Sequence, residues 1–367
     1  MSSEKLRIVI VGCGQIADGH ITEIRKFGKA DVVAVCDIEK LMAEQLAIRY
    51  EIPRFYDNFD EMLTSEKPDV VHITTPPQSH MELAMRAVDA GCHIYVEKPL
   101  TLCYRDSAQL ILYVQKKQKK LTIGWNSYFD PPAIELRNLV RDNVVGTPVH
   151  MESFFGYSLG GSFGKAILGS NKHWVHRLPG KLFQNNIDHM LNKVVEYLDD
   201  EYPLISASGG VYRDGRFGDV RDEMGDELRV QIQGKRTSAY GTFSSCIKPT
   251  GQFVRLYGTK RCATADFISR AVIIDDEVTL PSAIGRALAP FGMSKKFRKV
   301  GIKNIKCFLR NEYQYFSGLS TLIAKYYSSI LNDEDPPIPY DHILRVSWMM
   351  DEIFRQYDTL VASRNAN

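Results

Sequence analysis

Leu6-Arg7-Ile8-Val9-Ile10-Val11-Gly12-Cys13-Gly14-Gln15-Ile16-Ala17 is the stretch on which the fold turns. A β-branched run ends in G-x-G-x-x-A, and an amphipathic segment follows. The first glycine allows the tight bend, the second lets backbone approach a pyrophosphate, and the third small residue lets a helix pack close to the strand. The helix N-terminus then presents unpaired N–H groups and a positive dipole end to phosphates. Gly12, Gly14, Gln15 and Ile16 are therefore candidate cofactor contacts. Asp37 closes the next β-branched run, 20 residues past Ala17. A carboxylate there accepts bonds from the adenosine ribose hydroxyls. It also repels a 2′-phosphate, and Ile38 offers no guanidinium in compensation. NAD is thus favoured over NADP, unless Arg54 or another basic residue swings in.

Outward from this stretch the theme repeats as far as Trp125. Strands are expected at 8–11, 32–35, 70–73, 93–96 and 121–124, with helices at about 16–27, 39–50, 79–90 and 104–119. The strands are nearly continuous apolar runs, as in strands covered by helices on both faces. Alternating β and α implies a parallel, doubly wound sheet. After about residue 125 the grammar changes. A helix at 132–142 precedes a strand at 147–155, a Gly/Ser-rich stretch and a helix near 181–198. Strands then follow one another at about 204–213, 226–234, 237–245, 252–258 and 261–267, before two closing helices at 311–332 and 341–361. The alternation of Arg229-Val230-Gln231-Ile232-Gln233 leaves one face of this second sheet to solvent or a partner. The fold class is α/β. An N-terminal Rossmann domain, 1–125, precedes an α+β domain, 126–367, with a largely antiparallel, open-faced sheet, and the last helix can pack back on the first domain.

Composition excludes several classes. Of 367 residues, 44% are apolar and 25% charged, which is ordinary for a globular protein and argues against disorder. Lys plus Arg is 46 against 44 for Asp plus Glu, so no bulk attraction to nucleic acid is expected. No charge-free window reaches the roughly 18 residues of a membrane span. Seven cysteines without a C-x-x-C pair read as reduced thiols in a cytoplasmic protein.

The chain resembles the Gfo/Idh/MocA oxidoreductases, relatives of glucose-fructose oxidoreductase and inositol dehydrogenase. The resemblance is carried by residues 12–17, Thr74-Thr75-Pro76-Pro77-Gln78-Ser79-His80, Glu97-Lys98-Pro99-Leu100, Gly124-Trp125-Asn126 with Arg137, and Pro336-Pro337-Ile338-Pro339. It implies two domains, a nicotinamide cofactor, and hydride exchange with a secondary hydroxyl or carbonyl of a sugar, nucleotide-sugar or cyclic polyol. It also implies homodimer or homotetramer contacts through the second sheet. Glu97-Lys98-Pro99 stands at the carboxyl end of a strand, where ligands bind open α/β sheets. A lysine beside a cationic nicotinamide is expected to titrate below its usual range and to share a proton with a substrate hydroxyl. Thr74, Thr75, Pro76, Pro77, His80, Glu97 and Asn126 complete the expected cofactor contacts, with His80 equally readable as a simple helix-start residue.

In the second domain, Asn185, His189 and Asn192 fall on one helical stripe, where the family pattern is D-x-x-x-H-x-x-D. An amide orients a hydroxyl but cannot take its proton. Proton transfer therefore falls to Lys98 and His189, with Asn185 positioning substrate, while Asp188 points about 100° away from His189. Trp174 and Arg177, in a loop with His173 and His176, suit stacking and bidentate contacts to a charged or nucleotide-linked sugar. No carboxylate or cysteine completes a metal set, and no metal is expected. The amide departures leave two alternatives open, a cofactor-binding regulator without turnover and an NAD-using glycoside hydrolase.

Residues 278–311 fit none of this. Arg286, Lys295, Lys296, Arg298, Lys299, Lys303, Lys306 and Arg310 stand among apolar residues with no acid. Such a stretch is most often a solvated face or subunit contact. It also suits an anionic membrane surface or a polyphosphate.

Overall fold

The computed structural model describes residues 5–170, 172–212, 224–275, 282–310, 312 and 317–365. The first part of the chain runs β1 (Leu6–Val11), α1 (Gln15–Phe27), β2 (Ala30–Cys36), α2 (Lys40–Arg49), β3 (Arg54–Tyr56), α3 (Phe59–Glu66), β4 (Val70–Ile73), α4 (His80–Asp89), β5 (His93–Val96), α5 (Tyr104–Lys116) and β6 (Leu121–Ile123). The second part runs α6 (Pro131–Arg141), β7 (Pro148–Ser158), α7 (Ser162–Leu168), α8 (Lys181–Asn186), α9 (Asp188–Leu191), β8 (Leu204–Gly210), β9 (Glu227–Gln233), β10 (Ser238–Ser244), β11 (Cys246–Gly258), β12 (Cys262–Asp266), β13 (Ala271–Asp275) and α10 (Ser282–Leu309). Helices α11 (Ser317–Leu331) and α12 (Tyr340–Asn365) follow. One compact unit holds residues 1–126 with 318–351; the other holds 127–317 with 352–367.

The first unit is a six-stranded parallel sheet in the order β3-β2-β1-β4-β5-β6. Ile8, Val9, Ile10, Val70, Val71, Ile73, Ile94 and Val96 are all buried, as continuous apolar strands between two helical layers must be. From α11, Tyr326 and Tyr327 are buried in the same unit, and the Tyr326 hydroxyl donates to the carbonyls of Ile94 and Lys120 at 2.8 Å. Strand β3 and helix α3 were not foreseen. Arg54-Phe55-Tyr56 is a three-residue strand at the sheet edge with no buried side chain, too short to show a pattern.

The second unit is a seven-stranded sheet in the order β13-β12-β11-β7-β10-β9-β8. Its pairings are antiparallel except that β7 and β10 run parallel, so the sheet is mixed and largely antiparallel. Leu228, Val230 and Ile232 of β9 are buried and Gln231 and Gln233 exposed, as the alternation requires. The helix expected over 181–198 is instead α8, α9 and a 3₁₀ turn at Val195–Tyr197. The Asn186 side-chain amide donates back to the Leu182 carbonyl at 2.8 Å, a local bond of the kind that competes with helix propagation. Strand β13 was also missed. Residues 213, 278–281, 311 and 313–316 of the expected strand, basic stretch and helix lie outside the described residues.

Two histidines tie the first unit's stability to pH. Burial lowers His72, and burial with the Lys119 and Lys120 charges lowers His93 to about 4. His93 Nδ1 accepts the Lys120 N–H at 3.0 Å, a bond that protonation at Nδ1 removes. An unfolded histidine takes its proton near 6.5. The neutral folded forms therefore lend stability that is full above that pH and is lost as pH falls toward 4. We predict that the difference in thermal midpoint between the parent protein and His93→Gln, measured by near-ultraviolet circular dichroism, shrinks as pH is lowered from 7 to 4.5. A pH-independent difference would refute the assignment.

Candidate active site

In the first unit the sheet order reverses between β1 and β4, the position at which open α/β sheets open a crevice for ligands. Gly12 leaves β1 at a φ of +96°, and a Cβ on it would lie 2.7 Å from the Thr75 main-chain nitrogen. Only glycine meets both conditions. The Thr74 hydroxyl locks the approach by donating to the carbonyls of Gly12 at 2.6 Å and Val11 at 3.0 Å. Gly14 faces open space, and as the N-cap of α1 it brings no side-chain acceptor to the first turn. The N–H groups around Gln15 and Ile16 thus keep their capacity for an anion, which is what a pyrophosphate needs.

Asp37 stands at the end of β2 with its carboxylate fixed by main-chain donors. Oδ2 accepts the Cys13 N–H at 2.7 Å and Oδ1 the Glu39 N–H at 3.0 Å. Ile38 beside it is 90% exposed. Arg54 is held by the buried Glu66 carboxylate at 2.9 Å. Its guanidinium is therefore already engaged, and the carboxylate at 37 keeps its preference against a 2′-phosphate.

Thr75, Pro76 and Pro77 form the turn after β4, leading into the 3₁₀ turn Pro77–Ser79 and α4. The Ser79 hydroxyl donates to Thr75 Oγ1 at 2.7 Å. His80 is fully buried, with Nε2 on the Thr75 carbonyl and Nδ1 on the Pro99 carbonyl, both at 2.9 Å. Burial lowers this imidazole, and the two carbonyls pull the other way. Its ring joins the loop after β4 to the loop after β5, so it shapes both rather than offering a nitrogen to a ligand.

After β5 comes the Glu97-Lys98-Pro99 turn, with a cis Lys98–Pro99 bond. Lys98 is half-buried and Glu97 buried. Glu97 Oε1 lies 3.0 Å from His20 Nε2, His20 Nδ1 lies 2.8 Å from His72 Nδ1, and His72 Nε2 lies 2.7 Å from the Tyr327 hydroxyl. With both histidines neutral the donors run in one direction: Tyr327 to His72, His72 to His20, His20 to the Glu97 carboxylate. Glu97 Oε2 also accepts the Lys98 N–H at 3.3 Å. A Cβ on Gly124 would fall 2.5 Å from the same carboxylate. This network was not anticipated. A signal existed in Val70-Val71-His72-Ile73, where a polar residue interrupts a continuous buried strand. Asn126 ends the unit, its Oδ1 accepting from the Tyr95 hydroxyl at 3.3 Å.

The second unit carries the other candidates. Asn185 is buried near the end of α8 and His189 is half-buried in α9, its ring stacked on Phe155 at 5.1 Å. Asn192 is fully buried; its amide donates to Asp188 Oδ1 at 3.0 Å and its oxygen accepts from Ser127 at 3.4 Å. Asp188 is itself buried. The two departures from the acidic pattern therefore differ: the amide at 192 is spent inside the unit. Trp174 and Arg177 begin and end a 3₁₀ turn. His173 accepts the Val175 N–H, and His176 donates to the Ile167 carbonyl at 2.8 Å if Nε2 carries the proton. Among the described residues no group of three His, Cys, Asp or Glu could hold a metal ion.

Residues 6–125 match the family model described as GFO_IDH_MocA, oxidoreductase family, NAD-binding Rossmann fold. Over those residues the chain carries the NAD-binding domain of that oxidoreductase family. It is similar to D-glucoside 3-dehydrogenase of Escherichia coli, 33% identical over 147 residues, or 40% of this chain and 42% of the relative. It is similar to inositol 2-dehydrogenase of Salmonella typhimurium, 29% identical over 39% of this chain and 44% of the relative. These alignments thus span less than half of each relative. In fold it is similar to the WlbA dehydrogenase of Bordetella pertussis, solved with NADH and UDP-GlcNAcA, with a TM-score of 0.78, 16% identity and coverage of 98% and 97% of the two chains.

Hydrogen bonds to a charged acceptor contribute about 1.5–3 kcal/mol, or roughly ten- to a hundredfold in affinity. We predict that Asp37→Asn weakens NAD binding by at least about tenfold while weakening NADP binding less. Calorimetric titration with each dinucleotide measures this, and unchanged discrimination between the two would contradict the role given to Asp37.

Proposed function

We propose that the chain is an NAD-dependent dehydrogenase or reductase that exchanges a hydride with a secondary hydroxyl or carbonyl of a sugar, nucleotide-sugar or cyclic polyol. The observation that carries this reading is the pairing, within one unit, of a dinucleotide cradle with an anchored Glu97-Lys98-Pro99 turn at the next strand end but one. The names of the two curated relatives supply the substrate class.

In this reading Gly12, Gly14, Gln15 and Ile16 hold the pyrophosphate and Asp37 the adenosine ribose. Thr74, Thr75, Pro76, Pro77, Glu97 and Asn126 line the rest of the cofactor site, with His80 fixing two of its loops. The nicotinamide, when bound, supplies the hydride acceptor. Lys98 exchanges the hydroxyl proton, and its own main-chain N–H lies against the Glu97 carboxylate, so the buried network fixes the turn that carries it. His189 is the second proton-handling group. Its ring is oriented by stacking on Phe155, and it is half-buried. Asn185 orients the substrate by hydrogen bonding alone, and Trp174 and Arg177 contact the sugar or its charged appendage. Because Asn192 is committed to Asp188 and Ser127, the amide at 192 removes no proton acceptor from the substrate. That supports turnover rather than a regulator without it.

The seven free cysteines suit a cytoplasmic enzyme, and among the described residues no helix is long and apolar enough to cross a membrane. The open face of the second sheet, with Leu204 and Tyr240, is the surface for a homodimer or homotetramer in this reading. A monomeric mass by light scattering would remove that part of the proposal.

Incubation with NAD and a panel of sugars, inositols and nucleotide-sugars, followed at 340 nm, is expected to show net NADH with at least one of them. Tight NAD binding with no reduction on any substrate would point to a regulator, and release of free sugar from a nitrophenyl glycoside without net NADH would point to a glycosidase. On the productive substrate, Lys98→Met is expected to lower kcat by about 10²–10⁴-fold, the usual contribution of a positioned proton-transfer group. Unchanged turnover would sink the role of Lys98.

A further inference from the structure

Helix α10 has 28 residues and is about 42 Å long at 1.5 Å per residue. One face lies on its own unit. Met293, Lys296, Val300, Asn304 and Cys307 are half-buried, Lys296 donates to the Ile274 carbonyl, and Asn304 donates to the Ser269 carbonyl at 2.7 Å. At about 100° per residue, these five side chains fall within one sector of about 80°. On the opposite side, Ile284, Phe291, Ile302 and Leu309 project within about 20° of one another. All four are exposed, Phe291 to 75% and Leu309 to 76%. Leu288 and Ile305 widen the stripe and are exposed as well, while the exposed Phe308 stands nearer the packed face.

Charge is arranged about this stripe. Lys295, Lys299 and Lys306 run along one edge and Arg298 lies within it, all exposed. None of these four forms a salt bridge among the described residues, whereas Lys303, nearer the packed face, pairs with Glu135 at 2.7 Å. No acidic residue occurs from 282 to 310. A helix that packs by one face and turns an apolar stripe with a cationic edge to solvent has the make-up of an interfacial helix.

We propose that the outward face of α10 docks the protein on an anionic phospholipid surface. Three alternatives fit less well. An antiparallel two-fold pairing of this helix with the same helix of a second copy would bring lysine edges together with no acid to offset them. A free polyphosphate would satisfy the cations but leave Ile284, Ile302 and Leu309 in water. Simple solvation leaves six large apolar side chains along a single stripe, which a soluble surface rarely carries. A lipid surface satisfies both halves: acyl chains at the headgroup boundary receive the apolar stripe, and anionic headgroups meet the lysines. The inference is independent of the reaction proposed above.

Co-sedimentation of the full chain with phosphatidylcholine vesicles, with and without phosphatidylglycerol, tests this. Binding is expected to the anionic vesicles and to fall as salt is raised. A triple variant, Phe291→Ser, Ile302→Ser and Leu309→Ser, is expected to reduce partitioning by at least about tenfold, and Lys295→Gln with Lys299→Gln by about fivefold per charge at low salt. Both variants should keep the parent's NAD affinity and light-scattering mass. No binding to anionic vesicles overturns the proposal. Binding insensitive to the serine substitutions also overturns it, in favour of plain polyanion attraction. A drop in oligomer mass of the serine variant would assign the face to a second copy instead.

Discussion

The first unit depends on one close approach. Main chain leaving β1 at Gly12 passes so near the Thr74–Thr75 peptide that no side chain fits between. The Thr74 hydroxyl fastens it there through two main-chain carbonyls. That contact joins the carboxyl ends of β1 and β4 at the reversal of strand order. It aims the first turn of α1 outward without a side-chain cap and fixes where Asp37 can stand. The cradle is thus a consequence of backbone packing, prepared before any ligand arrives.

A second constraint lies just behind it. His20, His72, Glu97 and Tyr327 form one buried hydrogen-bonded line in which every donor has an acceptor when both histidines are neutral. Burial keeps His72 neutral, and Tyr95 stacks on it at 4.6 Å. An ionised Glu97 is satisfied by that line at one oxygen and by the Lys98 N–H at the other. An unpaired buried carboxylate would cost far more than these bonds gain. The line therefore fixes the turn that carries Lys98.

Much of this was legible in the sequence because it rests on local rules. The glycine spacing, the acid after the second strand and the period change near Trp125 each reflect backbone geometry within a few residues. The parts that were not legible rest on partners distant in sequence or on patterns too short to read. Tyr327 meets His72 across 255 positions. The β3 strand is three exposed or half-exposed residues at an edge. The continuous helix expected over 181–198 breaks where Asn186 turns back on Leu182, and the stripe reading at Asn192 gave no hint that Asp188 and Ser127 already hold it. The basic stretch concealed a helix because its outward face is the apolar one, reversing the usual pattern, and Pro290, Gly292 and Gly301 interrupt it.

In the proposed reaction a carbon-bound hydrogen of the substrate passes directly to the nicotinamide, while Lys98 and His189 handle only the hydroxyl proton. Turnover of an oxidisable substrate in deuterated water, followed by mass spectrometry of the reduced cofactor, separates the two hydrogens. The expected product is NADH without deuterium at the nicotinamide C4 position. Deuterium at that carbon would contradict it, because the transferred hydrogen would then have come from solvent.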